Sequence, residues 1–217
     1  MQYRFQILSR NSAISNILSD EIYYWLNFSQ ESLVKNIFGE DNKVLNEFEI
    51  TQKKKDDLQS IVQETQISIS ASPHTNKHIF NLVSDYWFKV REQCTITFDD
   101  CHGNPISKKV SVIEAEMNNI DRMLIDPYSE HNLRNDYAKP LRLLFNDKVT
   151  LISDDNYIVS NYVLYYIQKP TVITRSNSCN LPIQIHEDIV QIAYKLCYNN
   201  YLMKNTTPKT FRGEINN

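Results

Sequence analysis

CTITFDDCHGNPISKKVSVI, residues 94–113, is the stretch on which the fold turns. Cys94, Ile96 and Phe98 are apolar and alternate with Thr95 and Thr97, the period of two expected of a strand with one buried face. His102-Gly103-Asn104-Pro105 is a strong turn signal, and Val110-Ser111-Val112-Ile113 resumes a β pattern. The pair reads as an antiparallel hairpin.

Working outward, the same character holds from about residue 67 to residue 170. Ile67-Ser68-Ile69-Ser70 alternates, and Ile79-Phe80-Asn81-Leu82-Val83 is short and apolar. A short helix is expected over 116–125, with Met117, Ile120, Met123 and Leu124 on one face, ended by Asp126-Pro127. After a polar loop to Pro140, Leu141–Phe145 and Lys148–Ile152 flank Asn146-Asp147 as a second hairpin. Asp154-Asp155-Asn156 then turns the chain into a strand from Ile158 to Gln168. It sets Tyr162, Leu164 and Tyr166 against Val163, Tyr165 and Ile167, and Lys169-Pro170 closes it, since proline cannot continue a central strand.

Helical periods flank this region. Over 20–37, Ile22, Trp25, Leu26, Ser29, Leu33, Val34 and Ile37 make one apolar stripe, with Ser19-Asp20 to cap it and Gly39 to stop it. A weaker helix is expected between Phe5 and Leu18, and another over 47–64 on Phe48, Thr51, Leu58, Ile61 and Val62. There Lys53-Lys54-Lys55 and Asp56-Asp57 read as a solvated face. The last helix, Ile185 to Leu202, carries Ile185, Ile189, Ile192, Ala193 and Leu196. Each stripe needs an apolar partner, so the terminal helices are expected to pack on one another. The fold class is α+β: N-terminal and C-terminal helices packed as a small bundle, with a central, mostly antiparallel, hairpin-rich sheet or sandwich. The expected division is a helical part (1–66), a β-rich part (67–180), a C-terminal helix (181–203) and an extended docking arm (204–217). That arm is polar and has little to bury in its own chain.

With 217 residues the chain can bury a real core in one domain or two small ones. A net charge of −3 with no basic stripe argues against sequence-specific nucleic-acid binding. No segment approaches the ~20 apolar residues of a membrane helix. Only 3 glycines disfavour phosphate-cradling loops, and 13 tyrosines suit subunit contacts or simply reflect an AT-rich genome. Cys94, Cys101, Cys179 and Cys197 show no paired framework and read as free thiols.

Catalytic signals are thin: no nucleophile elbow, Walker loop, dinucleotide fingerprint or HExxH motif is present. Cys94, Cys101 and His102, with Cys179 downstream, lack the close pairs typical of zinc sites. His186-Glu187-Asp188 fits the dipole of a helix start, and Asp99-Asp100 and Asp154-Asp155 fit turn chemistry. No catalytic residue, metal or cofactor is therefore expected. The strand from Tyr162 to Tyr166 suits a sugar-binding platform or a core-and-interface strand.

Four segments together resemble a known family. Ser19-Asp20-Glu21-Ile22-Tyr23-Tyr24-Trp25-Leu26-Asn27 looks like the opening helix of connector or ring proteins in crAss-like podoviruses of gut Bacteroidales, and Phe48–Leu58 looks like that family's second motif. Ile120–Tyr128 fits, as does Tyr165–Pro170 joined to Leu181–Ala193. The resemblance covers most of 19–200, departing in the basic run after Gln52 and in the Lys204–Asn217 tail. It implies a structural, non-enzymatic subunit of the head-to-tail connector, made in the host cytoplasm and placed in the virion neck or tail. Its partners would be sister copies in a homo-oligomeric ring, portal protein and other connector or tail ring proteins. Phage DNA would pass through the channel without sequence-specific contact. Twelvefold symmetry is implied by the portal of related phages. The candidate docking residues are Lys204, Pro208, Phe211 and Arg212 in the arm, with Tyr162 and Tyr165. Two other readings stand beside this one: a tail-attached receptor or glycan binder using the tyrosine-rich strand, and a small metal enzyme or hydrolase built on Cys94, Cys101 and His102.

Overall fold

The computed structural model describes residues 1–10, 17–38 and 58–206. The chain divides into two units, Met1–Ile61 with Pro170–Asn217 and Val62–Lys169.

The second unit contains β1 (Val62–Ile67), β2 (Ile69–His74), β3 (Lys77–Asn81), β4 (Tyr86–Asp99), β5 (Pro105–Ser111), β6 (Ile113–Glu114), β7 (Leu141–Phe145), β8 (Lys148–Ile152) and β9 (Ile158–Gln168). One sheet runs β1-β9-β4-β5 and the other β2-β3-β8-β7-β6, antiparallel except where β6 joins β7. Inward residues of the two sheets share one core. Cys94, Ile96 and Phe98 of β4, Val159, Tyr162 and Leu164 of β9, Phe80 of β3 and Val149 and Leu151 of β8 belong to it. The Phe80 and Tyr162 rings sit 5.0 Å apart within this core. On the other face of the second sheet, α3 (Ile120–Ile125) covers Leu141 and Ile152.

Local chemistry sets the turns. Asp100 Oδ1 accepts from the backbone N–H of His102 at 2.7 Å and of Asn104 at 2.8 Å, while Gly103 adopts φ +79°, where a side chain is strained. Those hydrogen bonds, led by the one from Asn104, hold the Asp100 carboxyl below its ordinary value. Asn146 and Asp147, at φ +47° and +57°, make the left-handed two-residue turn that the twist of a hairpin prefers. In β9, Cys94 opposes Tyr162 but Thr95 opposes Ser160, leaving Asn161 over at φ +45°. This bulge shifts the alternation by one residue, so Val159 and Tyr162 both point into the core.

The first unit contains α1 (Gln2–Arg10), α2 (Ser19–Phe38) and α4 (His186–Thr206), which packs on both. Phe5 is buried edge-on against Tyr194, and Arg4 pairs with Glu187 in the first turn of α4. Ile22, Leu26 and Val34 of α2 and Ile189, Val190 and Ala193 of α4 are buried. Each of these side chains except Ala193 contributes about 1.5–3 kcal/mol on burial.

The α+β class with two antiparallel sheets and packed terminal helices matches the sequence reading. Several elements differ. Residues 62–64, expected to continue a helix, open β1, because pairing of Val62 through Ile67 with β9 outweighs a short helical period. Ile67–Ser70 is the end of β1 and the start of β2, not one strand. β4 begins at Tyr86, and its first half was missed because two register shifts there break the alternation. The helix at 116 starts only at Ile120, after a turn closed by Asn119 Oδ1 accepting from Glu116 N. α4 runs on to Thr206, past the expected start of the arm. Residues 11–16, Gly39 and the helix expected from residue 47 lie, up to residue 57, outside the described residues.

Candidate assembly surfaces

The nominated metal and catalytic groups do not converge. Cys94 is buried in the β core, where burial, with Glu92 adding, pushes its thiol up to about 12. Cys101 is exposed in the turn, with Sγ 3.2 Å from His102 Nδ1. Cys179 belongs to the other unit, where its thiol donates to Gln30 Oε1 at 3.4 Å. Among the described residues no three or more His, Cys, Asp or Glu side chains are placed to share a metal. His186 bonds the Leu181 carbonyl at 2.9 Å, and Asp154 accepts from Leu133 N and Asn156 N. These are end-of-helix and turn duties.

The strongest electrostatic feature of the β unit joins its two sheets. Arg142 of β7, 2% exposed, places Nε 2.8 Å from Glu92 Oε1 of β4 and Nη1 2.7 Å from Glu114 Oε1 of β6. Tyr162 of β9 donates its hydroxyl to the same Glu92 oxygen at 2.5 Å. Lys89 pairs with Glu114 and lies 3.9 Å from Glu92. Burial first, and then the Glu92 charge, raises the Tyr162 hydroxyl far above its ordinary value. The Lys89 hydrogen bond leads the causes that hold the Glu114 carboxyl below its own. Arg142 Nε lies within ion-pair distance of Glu92 but makes no hydrogen bond among the described residues, so the link between the sheets is carried by charge at Nε, while the hydrogen bonds of Nη1 and of the Tyr162 hydroxyl hold the two carboxylates in place.

A different polar device serves the helical unit. Segment 170–182 has no regular structure, and α2 holds it through amide side chains. Asn27 Nδ2 donates to the Ile173 carbonyl at 2.9 Å and Asn27 Oδ1 accepts from Ile173 N at 2.7 Å, as a neighbouring strand would. Gln30, which is buried, donates to the Thr171 carbonyl at 2.8 Å.

The nominated docking residues fall in different environments. Tyr162 is fully buried in the core and is not a surface for a partner. Tyr165 faces outward and donates to Glu64 of β1 at 3.0 Å. Tyr166 turns inward and bonds Asp85, so the strand presents one outward tyrosine ring rather than a platform. Lys204 falls on the last turn of α4, and Pro208, Phe211 and Arg212 lie outside the described residues.

Two surfaces went unnoticed in the sequence. On α2, Tyr24 is 61% and Phe28 49% exposed, their rings stacked at 6.4 Å with Trp25 set edge-on to both. Their spacing of four residues, off the buried stripe, was the available signal. The other surface is a sheet edge. β5 begins with Pro105 and carries Lys108 and Lys109, β2 carries Pro73 and an irregular register, and β1 presents Gln63, Glu64, Thr65 and Gln66. Prolines, charges and irregularity guard edges against stray pairing. At the fourth edge β6 is only two residues long and carries Glu114, and β7 continues beyond it with apolar residues. β6 pairs with β7 only at Leu141 and Arg142, and among the described residues the ladder stops where Ala115 N donates to the Arg142 carbonyl at 2.9 Å. Leu144 and Phe145 follow, 45% and 61% exposed. A groove of about 310 Å³ runs there between Glu114, Glu116 and Met117 on one side and Arg142 and Leu144 on the other.

Among the described residues no helix is long and apolar enough to cross a membrane. A family model described as "Phage tail ring protein 3/4", from crAss-like phages, matches residues 4–209. No curated protein matches the chain.

Proposed function

The chain belongs to the crAss-like phage tail ring protein 3/4 family, a structural family of the virion tail and not an enzyme family, and from that premise we propose a specific place for it. It is a subunit of the head-to-tail connector, closing with sister copies into a ring below the portal and extending the DNA channel between capsid and tail. The observation that carries this reading is the family match over 4–209, nearly the whole chain.

Physical features support it. A head-to-tail contact between unlike surfaces closes into a ring when its rotation closes. The exposed Tyr24–Phe28 face of α2 is an apolar surface of the kind subunit contacts enrich. A net charge of −3 suits a channel wall that lets a polyanion slide without gripping it. The twelvefold count follows the portal of related phages. The C-terminal residues act as an arm that orders on a neighbour.

Mass measurement of the purified protein, alone and mixed with portal, tests the proposal. A closed oligomer that binds portal is expected; a strict monomer that binds neither portal nor a tail component would refute it. Deleting 207–217 is expected to leave the melting temperature unchanged and to weaken assembly.

A further inference from the structure

We propose that the open edge of β7 receives the C-terminal segment 207–217 of a neighbouring copy as an added strand; this rests on the ring reading above and names the surface that the arm grips.

The backbone supplies the first argument. The Arg142 carbonyl accepts from Ala115 on the β6 side of β7. Strand groups alternate from side to side, so the N–H and C=O of Leu144 point the same way, past the end of β6. The side chains supply the second. Arg142 opposes Leu151 and Leu144 opposes Val149, both core residues, so Leu144 lies on the inward face of its sheet. It is nonetheless 45% exposed, because nothing among the described residues continues the sheet there. An added strand would give Leu144 backbone partners and cover the groove beside it. Such strand addition draws affinity from main-chain hydrogen bonds and specificity from alternate side chains.

The occupant follows from what remains of the chain. Eleven residues, TPKTFRGEINN, follow Thr206. Fully extended they reach roughly 36 Å, ample for a three- to five-residue pairing. In a strand Phe211, Gly213 and Ile215 share one face, so two apolar side chains flank a gap at the spacing an apolar groove can take. Lys209 and Arg212, against a single Glu214, give the segment a net positive side-chain charge for a rim that carries Glu116. The outer edges of β1, β2 and β5 carry proline, lysine or polar side chains, whereas Leu144 and Phe145 of β7 are apolar.

The test uses the full chain with a photocrosslinking residue in place of Met117, mixed with isotope-labelled copies lacking it. After irradiation of the assembled protein, the expected product joins position 117 to a peptide within 207–217 of a labelled copy. Leu144→Lys and, separately, Phe211→Ser are expected to lower its yield about tenfold, the equivalent of ~1.4 kcal/mol. Unchanged melting of Leu144→Lys and of Phe211→Ser shows that the fold survives each. Rings that form with the crosslink going to another segment, or to none, overturn the edge assignment and leave the ring reading standing. A crosslink to the same chain's 207–217 overturns the neighbouring copy as occupant. A protein that never self-associates and gives no such product overturns both.

Discussion

The helical unit and the β unit each hold together pieces distant in sequence, and they do so with different polar chemistry. In the helical unit, Asn27 and Gln30 of α2 grip the backbone of a strap at Thr171 and Ile173. In the β unit, Arg142 joins β7 to Glu92 of the facing sheet, with Tyr162 and Glu114 completing the set. Neutral amides can each be lost at the cost of a few unmade hydrogen bonds. A buried ion pair has no such graded failure, because removing one partner strands a charge. The helical unit should therefore yield locally and the β unit as a whole.

The largest expected effect follows from that difference. Arg142→Ala leaves buried Glu92 with only Lys89, at 3.9 Å, for a cation among the described residues and is expected to cost about 3 kcal/mol, read as a drop in the denaturation midpoint. Replacing Arg142, Glu92 and Tyr162 together by Met, Leu and Phe should recover much of it; no recovery would mean that packing, not charge, is what Arg142 supplies.

A middling effect is expected from Asn27→Ala, which unpairs both backbone groups of Ile173 at about 1–3 kcal/mol. Its signature should be local: amides over 171–179 exchange faster and the segment is cut earlier by protease, while β4 and β9 keep their protection. A loss as large and as global as that of Arg142→Ala would erase the contrast between the units.

The smallest effect is expected from pH. Burial holds the His78 and His131 imidazoles below their ordinary 6.5, and both lie in the β unit. The unfolded chain then binds the extra protons. The stability these residues contribute is complete above pH 6.5 and drains as pH falls from there through their lower native values. Glu114, whose native carboxyl is also depressed, adds a second loss as pH falls below its ordinary 4.5. Amide protection factors, which remove the intrinsic slowing of exchange in acid, should therefore fall in β3 from pH 7 to 5 while those of α2 change little, and His78→Gln should remove part of the difference.

The parts legible in the sequence were those where one local rule acted alone. The β7–β8 hairpin stands where alternation and turn residues placed it, because its two strands pair through their own two-residue turn. β1 was hidden, since Leu58, Ile61 and Val62 fit a helical period until β9 is there to pair with. The Arg142 cluster could not be read at all: Lys89, Glu92, Glu114, Arg142 and Tyr162 come together only when the two sheets face each other. The docking residues divided similarly. Alternation put Tyr162 and Tyr165 on opposite faces of β9, and only the packing of the two sheets makes the face of Tyr162 the buried one.

The first and last strands of the β unit are neighbours, with Val62 set opposite Ile167. The unit thus enters and leaves through adjacent strand ends, about 5 Å apart by antiparallel geometry. For an unfolded chain, closing a loop of this length costs roughly 4 kcal/mol of entropy. A sandwich that folds first has already met that cost, and it delivers the two ends of the helical unit to each other within a peptide's reach. The order of folding events is thereby biased from the middle of the polypeptide outward, with the termini last to find their places.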